Sequence, residues 1–184
     1  MTVICALHLP GQGTWIGSDR QVTVGDTPLM LERKFVSLGR WWVGVSGSMT
    51  TLNLLDELER AGYCPDSPSA LWEVIRERMD RAGYSTSTER DGGPKGYDQA
   101  FIAADGDGVW DINGRGSIVR VPDGKVWARG GGGDYAIGAG LAYREMDVAP
   151  RTVIEKAVRA AVDSDICCGG TPWLHHIRPE QGGC

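Results

Sequence analysis

The sequence predicts an α+β fold in which two antiparallel sheets pack on each other and helices cover both outer faces. Two patterns carry this expectation. Short apolar runs separated by turn residues recur in two blocks, one before residue 46 and one between residues 99 and 128. Each block is followed by a pair of amphipathic helical stretches, and a last β-rich run closes the chain. Strands at turn spacing pair antiparallel rather than through βαβ crossovers. Packing two such sheets together under helices buries every apolar stripe.

The elements follow in order. Thr2 to Leu9 is a β-rich apolar run, Pro10-Gly11-Gln12-Gly13 turns, and Thr14 to Ser18 returns. Lys34 to Leu38 and Trp41 to Ser46 pair across Gly39-Arg40. Ser48 has the side chain of an N-cap. Leu52, Leu55 and Leu58 then recur at helical spacing until Gly62. A second helix runs from about Pro68 to Ala82 with Leu71, Ile75 and Met79 on one face; Pro68 suits a first turn. Tyr84 to Tyr97, rich in Ser, Thr, Gly and charge, reads as a mobile loop. Gln99–Ala104, Val109–Ile112, Ser117–Val121 and Lys125–Ala128 return as strands. Two helices, Asp134–Met146 and Pro150–Asp163, precede a strand over Thr171–Ile177. The latter helix buries Val153, Ile154, Ala157, Val158 and Ala161 and turns Lys156 and Arg159 outward.

At 184 residues the chain is expected to form one domain, 1–184, with no internal repeat or linker. A net charge of −5 argues against a nucleic-acid partner. No apolar run approaches a membrane span, and no basic-then-apolar leader is seen, so the cytoplasm is the expected compartment. The 5 cysteines (Cys5, Cys64, Cys167, Cys168, Cys184) have no paired metal-ligand spacing. Cys5 and the Cys167-Cys168 pair read as reduced, buried thiols; Cys184 ends the chain as an exposed thiol or an appended feature. His8, His175 and His176 read as packed or edge residues, and Trp41-Trp42 as strand core plus a partly exposed ring.

The chemistry sits at the first strand. A small residue after Met1 favours removal of that methionine, which gives Thr2 a free α-amine beside its hydroxyl. An N-terminal amine is one recognised activator of a weak threonine nucleophile. With Ser18-Asp19-Arg20-Gln21-Val22-Thr23-Val24-Gly25-Asp26-Thr27, Arg33-Lys34-Phe35-Val36 and Gly44-Val45-Ser46-Gly47-Ser48, this start resembles the N-terminal-nucleophile hydrolases. Within them it is most similar to the peptidase subunit of the bacterial ATP-dependent proteasome-like protease, and the Asp-Arg pair resembles proteasome β subunits. Gly130 to Tyr135, Asp165-Ile166-Cys167-Cys168-Gly169-Gly170 and Leu174-His175-His176-Ile177 match as well. The resemblance spans roughly residues 2–60 and 128–177 in order, and is weakest over 64–97.

The resemblance implies a four-layer αββα sandwich and a threonine endopeptidase. Thr2 is the implied nucleophile with its own amine as base. Lys34 is the implied cation beside the hydroxyl, Asp19 the residue that holds Lys34, and Asp165 the one that orients the amine. Gly47 is the implied oxyanion donor. The carbonyls of Ser164, Cys167 and Gly170 match positions that hold a monovalent cation such as sodium; a tight turn without an ion serves the same loop. No cofactor is required. The relatives form closed homo-oligomeric rings, served by a separate AAA+ unfolding ATPase, and cut polypeptides; no nucleotide motif occurs in this chain. Two positions depart from the pattern. Gly131 stands where the relatives normally carry a serine near the nucleophile's amine, and Cys168 where proteasome β subunits carry serine. These departures keep two alternatives open: a catalytically inactive shell or scaffold protein, and a small-molecule amidase on the same fold. A third site, a phosphate cradle at Gly130-Gly131-Gly132-Gly133, lacks the Lys-Ser or Lys-Thr of a P-loop.

Overall fold

A computed structural model describes residues 2–24, 26–83, 97 and 99–179. Met1, Cys184 and most of the expected 84–97 loop lie outside the described residues. Among the described residues there are eleven strands and four helices, the nine strands and four helices expected plus two strands between residues 21 and 30. β1 (Ile4–Leu9) pairs antiparallel with β2 (Gly13–Ser18), with Ile4 opposite Ser18 and Leu9 opposite Gly13. β10 (Trp127–Arg129) lies on the other side of β1, and β11 (Trp173–Ile177) on the other side of β2. The second sheet runs β5 (Phe35–Leu38), β6 (Trp41–Ser46), β7 (Ala100–Asp105), β8 (Gly108–Asn113), β9 (Ile118–Arg120), antiparallel throughout.

Three apolar layers glue the sandwich. Ile4, Ala6, Ile16, Phe35, Ile102 and Ala104 fill the space between the two sheets. Outside the five-stranded sheet, Leu55, Leu58, Leu71, Ile75 and Met79 seat α1 (Met49–Arg60) and α2 (Pro68–Arg81). Outside the four-stranded sheet, Val153, Ile154, Ala157, Val158 and Ala161 seat α4 (Pro150–Ser164), the full stripe expected, beside α3 (Gly133–Glu145). The result is the αββα order. Each fully buried Leu, Ile, Phe or Met side chain contributes roughly 1.5–3 kcal/mol.

Local signals explain the helix starts. The Ser48 hydroxyl accepts from the Thr50 N–H, Ser67 caps α2 through the Ala70 N–H, and Pro68 occupies its first turn. Gly17 is glycine because α4 and β11 crowd it: a Cβ there would stand 2.7 Å from Ile154 Cγ2 and 2.9 Å from Leu174 Cδ2. No helix among the described residues is long and apolar enough to cross a membrane.

One element departs from expectation. Residues 21–30 form a hairpin, β3 (Gln21–Val24) with β4 (Thr27–Met30), that joins neither large sheet. It is tied at its root, where Arg20 N–H donates to the Gly169 carbonyl at 2.9 Å and Leu31 N–H to the Arg20 carbonyl at 2.8 Å. Cys167 is also half-buried rather than buried, because it sits in the turn after α4; Cys5 and Cys168 are buried thiols as expected.

Candidate functional site

The site lies where β1 begins, β2 ends and β5 is about to start. Antiparallel pairing with Ile4 opposite Ser18 carries the chain just before β1 and just after β2 to the same end of the sheet. Thr2 and Asp19 therefore meet although 17 residues apart: Thr2 Oγ1 donates to Asp19 Oδ1 at 2.7 Å. Lys34, the residue before β5, reaches across from the second sheet. Its Nζ donates to Asp19 Oδ1 at 2.6 Å, and also to Thr2 Oγ1 and the Gln21 carbonyl.

Asp19 is the hub. Besides Thr2 and Lys34, its Oδ1 accepts from Val3 N–H at 2.9 Å, and its Oδ2 from Gln21 N–H at 3.0 Å and Gly169 N–H at 3.2 Å. It is 0% exposed and Lys34 2%, so neither charge has water to fall back on. Backbone donors and a cation around the buried carboxylate offset the cost of taking it out of water. Burial pushes the Lys34 ammonium below its ordinary value of 10.5, while the charge of Asp19 and its hydrogen bond pull it back up.

The glycine run supplies the other wall. Gly132 N–H donates to the Thr2 carbonyl at 3.4 Å, and Gly133 N–H to the Gly130 carbonyl at 2.9 Å. These two amides are spent inside the protein, in keeping with the run's lack of a P-loop Lys-Ser or Lys-Thr. Gly130 has φ +107, and a Cβ there would lie 1.9 Å from the Thr2 carbonyl oxygen. Only glycine lets the run pass so close to Thr2. Replacing Gly130 by Ala is expected to displace Thr2 by a good fraction of an ångström. Such misplacement lowers catalysis about 10²-fold. Peptide-hydrolysis kinetics on a variant with unchanged circular dichroism checks this; unaltered kcat/KM would contradict it.

The loop between α4 and β11 closes the back. Asp165 organises it: its Oδ1 accepts from Cys167 N–H and its carbonyl from Cys168 N–H, both at 2.9 Å. The buried Cys168 thiol hydrogen-bonds the Gly132 backbone, and burial, with Asp19 and Asp165 nearby, pushes it up to about 12. It is a neutral thiol at physiological pH. Asp165 thus stands behind Cys168, with its side-chain hydrogen bond directed into its own loop. In the same loop the carbonyls of Asp165, Ile166 and Gly169 accept from Cys168 N–H, Gln21 Nε2 and Arg20 N–H. Among the described residues no group of three or more His, Cys, Asp or Glu side chains is placed to hold a metal.

Gly47, exposed at φ +141 between β6 and α1, is flanked by two cavities. One, about 360 Å³, is bounded by Thr2, Lys34, Val22, Val45, Met49 and Leu52. The other, about 620 Å³, is bounded by Ser46, Asn113, Arg115, Arg129 and Gly131 among others. Sequence reasoning named Thr2, Asp19, Lys34, Gly47 and Asp165, of which Thr2, Asp19 and Lys34 are in mutual contact and Asp165 bonds within its own loop. It named Gln21 and Gly130 only as members of matching stretches and missed their roles, the Gln21 carbonyl receiving Lys34 and Gly130 passing close over Thr2.

No protein-family model matches the chain. Curated relatives do. The ATP-dependent protease subunit HslV of Aquifex aeolicus (strain VF5) is 33% identical over 173 residues, covering 90% of each chain. That of Sulfurihydrogenibium sp. (strain YO3AOP1) is 32% identical over 174 residues, covering 90% of this chain and 89% of the relative. Among solved structures, BPH of Thiobacillus denitrificans superposes with a TM-score of 0.76 over 97% of this chain and 100% of that one, at 19% identity. Eukaryotic HslV from Trypanosoma brucei gives 0.65 over 96% and 99%, at 20% identity. At those identities the two structures speak to the fold, and they agree on it.

Proposed function

The chain belongs to the HslV family of ATP-dependent protease subunits, N-terminal-nucleophile hydrolases of the proteasome type, and we propose that Thr2, freed by removal of Met1, is its nucleophile. The observation that carries this is the buried contact of Thr2 Oγ1 with both Asp19 and Lys34. As Oγ1 attacks the substrate carbonyl carbon, its proton passes to the Thr2 amine, whose ordinary pKa of about 7.7–8.0 suits a base near neutrality. The Lys34 ammonium stabilises the alkoxide as it develops, and the Gly47 N–H stabilises the carbonyl oxygen as it becomes an oxyanion. Collapse breaks the C–N bond, and the amine's proton leaves with the new α-amino group. The acyl group remains on Oγ1 as an ester, which a water then hydrolyses with the amine again as base.

Asp19 keeps Lys34 charged and in place. Asp165 acts through the loop that it folds, which positions Cys168 and, through Gly132, the Thr2 backbone. A sodium ion held by the carbonyls of Ser164, Cys167 and Gly170 would stiffen that loop and take no part in bond making. Gly131 leaves the approach to Thr2 without a serine hydroxyl, so the Lys34–Asp19 pair carries more of the polarisation here.

The working form in this proposal is a cytoplasmic homo-oligomeric ring that admits unfolded polypeptide. The relatives' ATP dependence and the lack of a nucleotide motif in this chain support a separate AAA+ ATPase as its partner. The deciding experiment is intact mass after treatment with a peptide epoxyketone, a reagent that needs a free amine and its adjacent hydroxyl. Loss of Met1 with one adduct per chain is expected. Retained Met1 without an adduct would make the protein a non-catalytic shell.

A further inference from the structure

The two cavities on either side of Gly47 differ in chemistry. The smaller includes Thr2 itself and is walled by Val22, Val45, Met49 and Leu52. It takes an apolar side chain on the acyl side of the bond under attack. The larger shares Gly47 but not Thr2, and extends past Ser46 towards Gly130 and the turn after β8. For a chain whose scissile carbonyl points at Gly47 and whose acyl-side residue fills the first cavity, the second lies beside the same Gly47 and offers room for the leaving segment.

The second cavity is polar and cationic. Arg129 is already neutralised: its Nε donates to Asp111 Oδ1 at 2.6 Å and its outer nitrogen to Oδ2. Arg115 differs. Its backbone N–H is fixed by Asn113 Oδ1 at 2.9 Å, which holds the residue in the turn, and among the described residues its guanidinium has no carboxylate partner. Gln99 adds an acceptor, since its Oε1 is buried with no hydrogen-bond partner among the described residues. A backbone N–H of a bound peptide suits it. Gly114 keeps the wall low, as a Cβ there would lie 1.8 Å from the Tyr97 carbonyl oxygen.

We propose that this cavity is a leaving-group subsite that selects substrates with an acidic residue just after the cleaved bond, with Arg115 as the specificity-determining residue. The proposal rests on Thr2 being the nucleophile. A guanidinium that gains a carboxylate partner favours the acidic substrate, and it repels a lysine at the same place.

The test uses internally quenched peptides identical except for Glu or Lys immediately after the cleaved bond, with cleavage sites read by mass spectrometry. The wild-type protein, first shown to form the epoxyketone adduct, is expected to favour Glu over Lys by about tenfold in kcat/KM. Arg115→Gln should bring the ratio near one, and Arg115→Glu should invert it. The ratio is internally controlled, so a general loss of activity does not mimic the effect. An adduct-forming protein with no Glu preference, or with one that both variants retain, overturns the subsite and leaves the nucleophile standing. No adduct and no cleavage overturns the nucleophile, and the subsite falls with it.

Discussion

Thr2→Ala is expected to abolish peptide hydrolysis, lowering kcat/KM by at least about 10⁴-fold, while the protein still folds. The size follows from mechanism: the substitution removes the atom that forms the ester and leaves no covalent route. The small structural effect follows from the contacts. Alanine fits the space, and the buried hydroxyl makes one hydrogen bond to Asp19 and receives one from Lys34. Hydrogen bonds to charged groups are worth about 1.5–3 kcal/mol each, so the melting temperature falls, but Asp19 keeps its four other donors and the fold survives. Thr2→Ser keeps both the amine and the hydroxyl but frees χ1, and should retain activity within about tenfold to a hundredfold. Fluorogenic peptide kinetics with thermal melts checks both variants. Undiminished hydrolysis by Thr2→Ala would remove Thr2 from the chemistry.

Lys34→Met should damage activity and stability together. Without the ammonium, Asp19 remains 0% exposed with its charge uncompensated, and breaking a buried pair on one side costs about 3–5 kcal/mol. For a protein of this size that corresponds to a fall in melting temperature of about 10 °C. Loss of the cation beside the developing alkoxide should also lower kcat by about 10²–10³-fold. Adding Asp19→Asn to Lys34→Met removes the orphaned charge. The double variant should therefore regain much of the stability and none of the activity. Recovery of both would make the pair a scaffold feature. The pH dependence has a definite sign. Burial holds Lys34 below its ordinary 10.5 in the folded protein, so between its folded value and 10.5 the unfolded chain binds more protons. In that window this group makes stability rise with pH. Activity moves the other way, because losing the ammonium removes the alkoxide's partner. The alkaline limb of the rate profile should therefore fall below pH 10.5 and vanish in Lys34→Met, with the acid limb set by the Thr2 amine.

What the sequence made legible was whatever repeats or caps. α4 declared its buried stripe through Val153, Ile154, Ala157, Val158 and Ala161, and α1 its start through Ser48. The β3–β4 hairpin declared neither. Its strands are four residues long, Pro28 interrupts one of them, and Val24, Leu29 and Met30 are exposed, so no alternation marks a core side. Thr2, Asp19 and Lys34 were identifiable as residue types at strand ends, and through the family resemblance. Their meeting on one oxygen was not, because it depends on the β1–β2 register and on how the two sheets face each other. The close pass of Gly130 over Thr2 is likewise a property of packing, for which four consecutive glycines give permission without direction.

The hairpin has one more consequence. Val22, Thr23 and Val24 wall the apolar cavity beside Thr2, yet they belong to a ribbon outside both sheets, whereas Asp19 and Lys34 are anchored at the sheets' ends. Recognition and bond cleavage therefore meet at the ribbon's root, where Gln21 touches both Asp19 and Lys34, and part beyond it. Substitutions beyond that root can retune which residues are cut without disturbing the proton chemistry, so the catalyst can change its diet while keeping its machinery.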